Sequence, residues 1–202
     1  MSRNVLVGSV VVLGVLAVSI GFVTLRSRSI GESPPSGAAP VPTASAPSSL
    51  RLVPDIEVVM YQGQAVVGGD KVALSQLWER RPVILNFWAG LCPPCRAEMP
   101  DFQRLYNTEQ ARKRFVLIGV DIGPFIGLGS RDDARALLRE LKISFPTGTT
   151  FDARTVRNYE ILGMPTTVFI TTDGRLLRKH TGLLTFEQMR AFAEELVKVS
   201  AR

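Results

Sequence analysis

Only one histidine and two cysteines occur in the 202 residues. A structural zinc site takes about four Cys or His ligands. His180 is distant in sequence from both cysteines, on a stretch predicted as a surface strand, so these three residues do not make such a site. No cysteine stands apart with activating residues of its own, which argues against a peroxidase. None follows the apolar run at the N-terminus, which excludes a lipid-modified cysteine as anchor. Segregated charge is also absent. The formal net charge is +6 and the isoelectric point about 9.8, yet Lys and Arg are scattered and no nucleic-acid-binding motif accompanies them. The excess reads as solubility with a mild attraction to anionic lipid, and nucleic acid is not expected as a partner.

What the chain does have is both cysteines in one place, in Trp88-Ala-Gly-Leu-Cys-Pro-Pro-Cys95. The run Pro82-Val-Ile-Leu-Asn-Phe-Trp88 before them is apolar and β-prone, a predicted buried strand. Arg96 to Tyr106 after them reads as a helix with Pro100 inside it, which predicts a kink. Cys92 is thereby placed near a helix N-terminus. Unpaired N–H groups and the helix dipole favour negative charge there, so the thiol ionises more readily. A thiolate is the nucleophile in disulfide exchange, and a second cysteine three residues on can attack the mixed disulfide. A redox-active Cys92–Cys95 pair with no other cofactor is the sharpest reading. Two others stand beside it. The pair could be a structural disulfide, although so short a loop yields little entropic stabilisation. It could also be a copper(I)-binding module, since copper(I) accepts two thiolates.

Val5 to Leu25 contains no charged residue. That length suits a transmembrane helix of about 20 residues better than the shorter apolar core of a cleaved signal. Ala44-Ser-Ala46 has the form of a small-residue cleavage site but lies far beyond the run. Arg3 precedes the run and Arg26 and Arg28 follow it, so the positive-inside rule does not decide orientation. The layout of a short tail before a long domain does, as a signal-anchor with the domain outside. Residues 26–50, rich in Pro, Ser and Ala, read as a semi-rigid linker. The expected organisation is 1–25 anchor, 26–50 linker and 51–202 soluble domain.

Within the domain, Ile56 to Tyr61 and Ala65 to Val67 are predicted as a β-hairpin, and Ser75 as the cap of a short helix over 76–79. The strand at 83–88 and the helix from about Pro93 to Tyr106 follow. Phe115 to Asp121 is continuous in apolar residues, as a central parallel strand covered on both faces would be. Ser130 caps a helix with Ala134, Leu137, Leu138 and Leu141 on one face. Phe145 to Thr149 reads as extended, and Asp152 as the cap of a helix over 154–159. Thr167 to Thr171 and Arg175 to Thr181 flank an Asp173-Gly174 turn. Thr185-Phe-Glu-Gln188 resembles a capping box. This order predicts an α/β fold with a mixed central sheet, helices on both faces and an added N-terminal β-hairpin. Asp121 reads as a loop cap. The loop Ile122-Gly-Pro-Phe-Ile-Gly-Leu-Gly129 either docks a partner or tucks into the core. Trp88 reads as core, with contact to substrate as its functional alternative.

The segment Phe87-Trp-Ala-Gly-Leu-Cys-Pro-Pro-Cys-Arg-Ala-Glu-Met-Pro100, with Met164-Pro-Thr-Thr167, resembles the TlpA/ResA branch of the thioredoxin superfamily. The resemblance covers about residues 52–200. It implies a thioredoxin-like fold and a membrane-anchored thiol-disulfide oxidoreductase outside the cytoplasm, with protein disulfides as substrates. Apocytochrome c is among the substrates it implies, and a membrane or extracytoplasmic protein would supply electrons. By position, Cys92 would attack, Cys95 would resolve, and Glu98 would be a buried carboxylate relaying protons. Pro165 would be cis and pack against the cysteines, while Met164 would offer backbone groups to an extended substrate. Independently of the resemblance, Glu98 lies one turn from Cys95 on the same helix face. Two positions depart: Leu91 where members often carry Trp, and Asn86 where thioredoxin has a buried Asp. Pro93 and Pro94 lack N–H, so two donors that could stabilise a Cys92 thiolate are missing. That predicts a reducing pair, with an oxidant using the same residues as the alternative.

Overall fold

The computed structural model describes residues 50–108 and 114–201. The apolar run Val5–Leu25 and the linker up to residue 49 lie outside them. Among the described residues no helix is long and apolar enough to cross a membrane.

Seven strands make one mixed sheet in the order β2-β1-β5-β4-β3-β6-β7. They are β1 (Glu57–Gln62), β2 (Lys71–Ala73), β3 (Val83–Trp88), β4 (Val116–Asp121), β5 (Thr147–Thr149), β6 (Thr166–Ile170) and β7 (Leu176–Thr181). The continuous apolar run behaves as expected: β4 is parallel to both neighbours, β3 and β5. Strand β6 runs antiparallel to β3. Every residue of β3 and β4 is buried, because helices cover both faces. On one face α3 (Pro93–Asn107), α5 (Arg131–Glu140) and α7 (Phe186–Ser200) pack over Ile84, Trp88, Leu117 and Phe169. On the other, α2 (Leu74–Trp78) and α6 (Arg154–Asn158) accompany Val83, Leu85, Phe87, Ile118 and Val168. Alternate residues of β3 thus serve opposite layers.

The N-terminal hairpin forms, but not where it was expected. Ala65–Val67 is no strand; it belongs to the single turn α1 (Gln64–Val67). Gly63 and Gly68 bracket that turn with φ of 82° and 101°, a left-handed geometry open to glycine at no steric cost. The returning strand is β2, paired antiparallel with β1. Ser75 does not cap a helix either. Helix α2 starts at Leu74, and the Ser75 hydroxyl and N–H both donate to Asp55. The loop after β4 winds into α4 (Gly123–Ile126), and Phe125 and Ile126 pack against the second core layer. It tucks in.

Candidate active site

Strand β3 ends at Trp88, and four residues later Cys92 caps α3. The turn between them is tight. A Cβ on Gly90 would lie 2.5 Å from the Ala134 nitrogen, so only glycine lets the first turn of α5 pack against it. Leu91 donates its N–H to the Leu128 carbonyl at 2.9 Å, which ties the turn to the loop after β4. Proline is accommodated at the first helical positions because those N–H groups have no partner within a helix. The consequence at Cys92 is chemical: the N–H of Cys95 reaches its sulfur at 3.3 Å, while Pro93 and Pro94 offer none. Cys92 and Cys95 are joined as a disulfide with Cα atoms 5.3 Å apart. Cys92 is 3% exposed and Cys95 not at all.

Glu98 is 1% exposed, although nothing charged is paired with it among the described residues. Its Oε1 accepts from Asn86 Nδ2 at 2.8 Å, and its Oε2 accepts from the Leu184 N–H at 3.2 Å. Burial disfavours the carboxylate and pushes its pKa up to about 7, against the pull of those two hydrogen bonds. A group that titrates near neutrality one turn from Cys95 can hold and release a proton at physiological pH. The Asn86 amide also donates to Thr167 Oγ1 at 3.1 Å. Thr167 and the Leu184 N–H were not singled out in the sequence.

Met164–Pro165 is a cis peptide bond, at the start of β6. The Pro165 carbonyl accepts from the Gly182 N–H at 2.8 Å. Among the described residues, the backbone N–H and carbonyl of Met164 join no hydrogen bond. The Met164 side chain is half-buried and touches both core layers. Trp88 requires a correction as a substrate contact: it is fully buried, packed between the sheet and α3, and presents no surface. Leu91, Leu162 and Leu183 are exposed by 59%, 91% and 45%. They adjoin, in sequence, Cys92, the Gly163–Pro165 segment and Leu184.

Asp121 accepts from the Gly123 N–H at 2.9 Å, so it does cap the loop. It is fully buried, and its other oxygen accepts from the Tyr61 hydroxyl at 3.0 Å. Burial raises its pKa too. Its bonds run to the loop and to Tyr61 rather than to the cysteines. His180 lies on β7 beside the Phe192 ring, and among the described residues no group of three Cys, His, Asp or Glu is arranged to hold a metal ion.

The sequence model of the AhpC/TSA family matches residues 51–179. The thiol-disulfide oxidoreductase ResA of Halalkalibacterium halodurans is 31% identical over 136 residues, which are 66% of this chain and 71% of that protein. The sporulation thiol-disulfide oxidoreductase A of Bacillus subtilis is 26% identical over 132 residues, 64% of this chain and 75% of its own length. Among solved structures, a thiol:disulfide interchange protein of the thioredoxin family from Chlorobium tepidum superposes with a TM-score of 0.60 at 20% identity. It covers 75% of this chain and 99% of its own. That likeness bears on the fold, which is thioredoxin-like.

Proposed function

Because this chain belongs to the AhpC/TSA family, as a thiol-disulfide oxidoreductase of the ResA type, we propose that it works as a dithiol reductant of protein disulfides on the extracytoplasmic side of a membrane. The observation that carries the reading is the Cys92–Cys95 pair at the N-terminus of α3 with Glu98 one turn beyond. In the reduced protein the Cys92 thiolate attacks one sulfur of a partner disulfide. A mixed disulfide forms, and the partner's other sulfur leaves as a thiolate and takes up a proton. The Cys95 thiol then gives its proton to the Glu98 carboxylate, and its sulfur attacks that of Cys92. The mixed bond breaks, the partner's second sulfur leaves as a thiolate and takes up a proton, and the two electrons the partner gained came from the pair. A second redox protein returns two electrons to Cys92–Cys95.

The reducing direction rests on the thiolate's surroundings. Stabilising the thiolate favours the reduced form and makes a pair oxidising. Here one N–H, that of Cys95, reaches Cys92, because prolines fill the next two positions. A polypeptide substrate is supported by the Met164 backbone groups, which are available to pair with an extended chain. The exposed leucines nearby would cover apolar side chains flanking its cysteines. Val5–Leu25 serves in this reading as the anchor, and an oxidising compartment is where protein disulfides accumulate. Apocytochrome c, with its Cys-x-x-Cys-His segment, is the substrate we favour by family.

The test is competition. Reduced protein should reduce a disulfide-closed Cys-x-x-Cys-His peptide faster than one of the same composition with His and a neighbour exchanged. Equal rates on both would remove the cytochrome c reading and leave general disulfide reduction.

A further inference from the structure

Strand β3 is apolar except for Asn86, which is completely buried. A buried amide is costly unless bonded, so what it bonds to is informative. We infer that Asn86 is a positioning residue for the exchange reaction, holding the Glu98 carboxylate ready to take the Cys95 proton. The inference rests on the exchange chemistry proposed above and names a further residue in it.

The amide's orientation follows from its partners. Its Nδ2 donates both to Glu98 Oε1 at 2.8 Å and to Thr167 Oγ1 at 3.1 Å. Its Oδ1 is buried without a hydrogen-bond partner among the described residues. The arrangement therefore forgoes an acceptor's bond in order to place both N–H groups. Turning the amide over would set Oδ1 against a carboxylate oxygen of ionised Glu98, which offers it no donor. Thr167 is the amide's second point of attachment. It sits on β6, two residues after Pro165, so α3, β3 and the strand after the cis bond meet at this one amide.

The groups around Glu98 are few. On helix α3, Cys95 stands one turn before Glu98. Strand β3 contributes Asn86, and Thr167 of β6 stands behind it. The turn into α7 contributes the Leu184 N–H. No ion pair reaches Glu98 from any of these elements among the described residues. Asn86 is thus one of two donors that stabilise the charged form. Removing it favours the protonated acid, which cannot accept the Cys95 proton. The loss of a bond to a charged group moves the titration midpoint up by about one pH unit or more.

The experiment uses the full chain in detergent. Exchange with a disulfide peptide is followed from about pH 5 to about pH 9, around the Glu98 midpoint. In parallel the Glu98 side-chain carboxyl of the oxidised protein is titrated by carbon-13 NMR. Asn86→Leu should raise both midpoints by about one unit or more. Thr167→Val should raise them by less, and Thr167→Ser should return them to the wild-type position. A rate that falls equally at every pH, with the midpoint unmoved, would mean that Asn86 only supports the fold. If Asn86→Leu does not fold, an unmoved midpoint in Thr167→Val overturns the inference equally. Wild-type protein inert toward the peptide would overturn the exchange reading instead, and the carboxyl titration, which needs no turnover, tells the two failures apart.

Discussion

Cys95→Ala is expected to turn the protein from a catalyst into a trap. Cys92 can still attack a partner disulfide, but no second thiol is in place to release the product. Non-reducing gels should show the variant as a set of covalent complexes that collapse on adding dithiothreitol, and multiple turnover should fall on the order of 10³-fold or more. Cys92→Ser should lose turnover to the same degree and form no complexes, because Cys95 has no exposure of its own. The asymmetry between the two variants is the informative part. Equal trapping by both would mean that either sulfur can attack, and no trapping by either would return the pair to the status of a structural disulfide.

Glu98 carries the second large effect, on stability rather than turnover. Its pKa is about 7 in the folded protein against an ordinary value of 4.5. The folded state therefore binds this proton more tightly than the unfolded state does. Its contribution is fully present below about pH 4.5 and is lost as pH rises through about 7. The difference of about 2.5 units corresponds to on the order of 3 kcal/mol. Denaturant unfolding of wild type and Glu98→Gln should then give curves that differ in slope. Wild type should lose stability relative to the variant between about pH 4.5 and pH 7, and the two should run parallel above that. Comparing the pair removes the contributions of Asp121 and of the surface carboxylates, which both proteins share. Curves parallel from pH 4 upward would show that Glu98 ionises normally and has no proton to exchange near neutrality.

The parts of this architecture that were legible in the sequence are those where one residue type has one local consequence. The unbroken apolar run at 115–121 suits a central strand, and β4 is central in the sheet. Ser130 and Thr185 are followed three residues on by side chains that close their capping boxes. The spacing of Cys92 and Cys95 put both sulfurs at one helix start, where they are joined. The misplacements fall where tertiary contacts outrank local preference. Val66 and Val67 are β-prone, but glycines at 63 and 68 allowed a single helical turn, which puts Val67 into the core. Ser75 is a good cap residue, yet Asp55, twenty positions earlier, took its hydroxyl. At the site, Glu98 was visible from its spacing to Cys95. Its burial followed only from the family resemblance, because no local pattern shows α7 arriving over α3. The Leu184 N–H that holds it carries no side-chain signature at all. Trp88 shows the converse. It reads as core and is core, because the last residue of a strand buried on both faces has no surface to offer as a substrate contact.

The claim that this chain reduces disulfides turns on how strongly the Cys92 thiolate is held, and the equilibrium between the pair and a thiol buffer reads that directly. The reduction potential of Cys92–Cys95 should be measured against glutathione and dithiothreitol mixtures by following the fraction of alkylated cysteine. With one N–H reaching the sulfur and prolines at the two positions between the cysteines, a value below about −200 mV is expected, among the thioredoxin-like reductants. A value near about −120 mV, that of a strong oxidant, would contradict it and make the same residues a device for inserting disulfides.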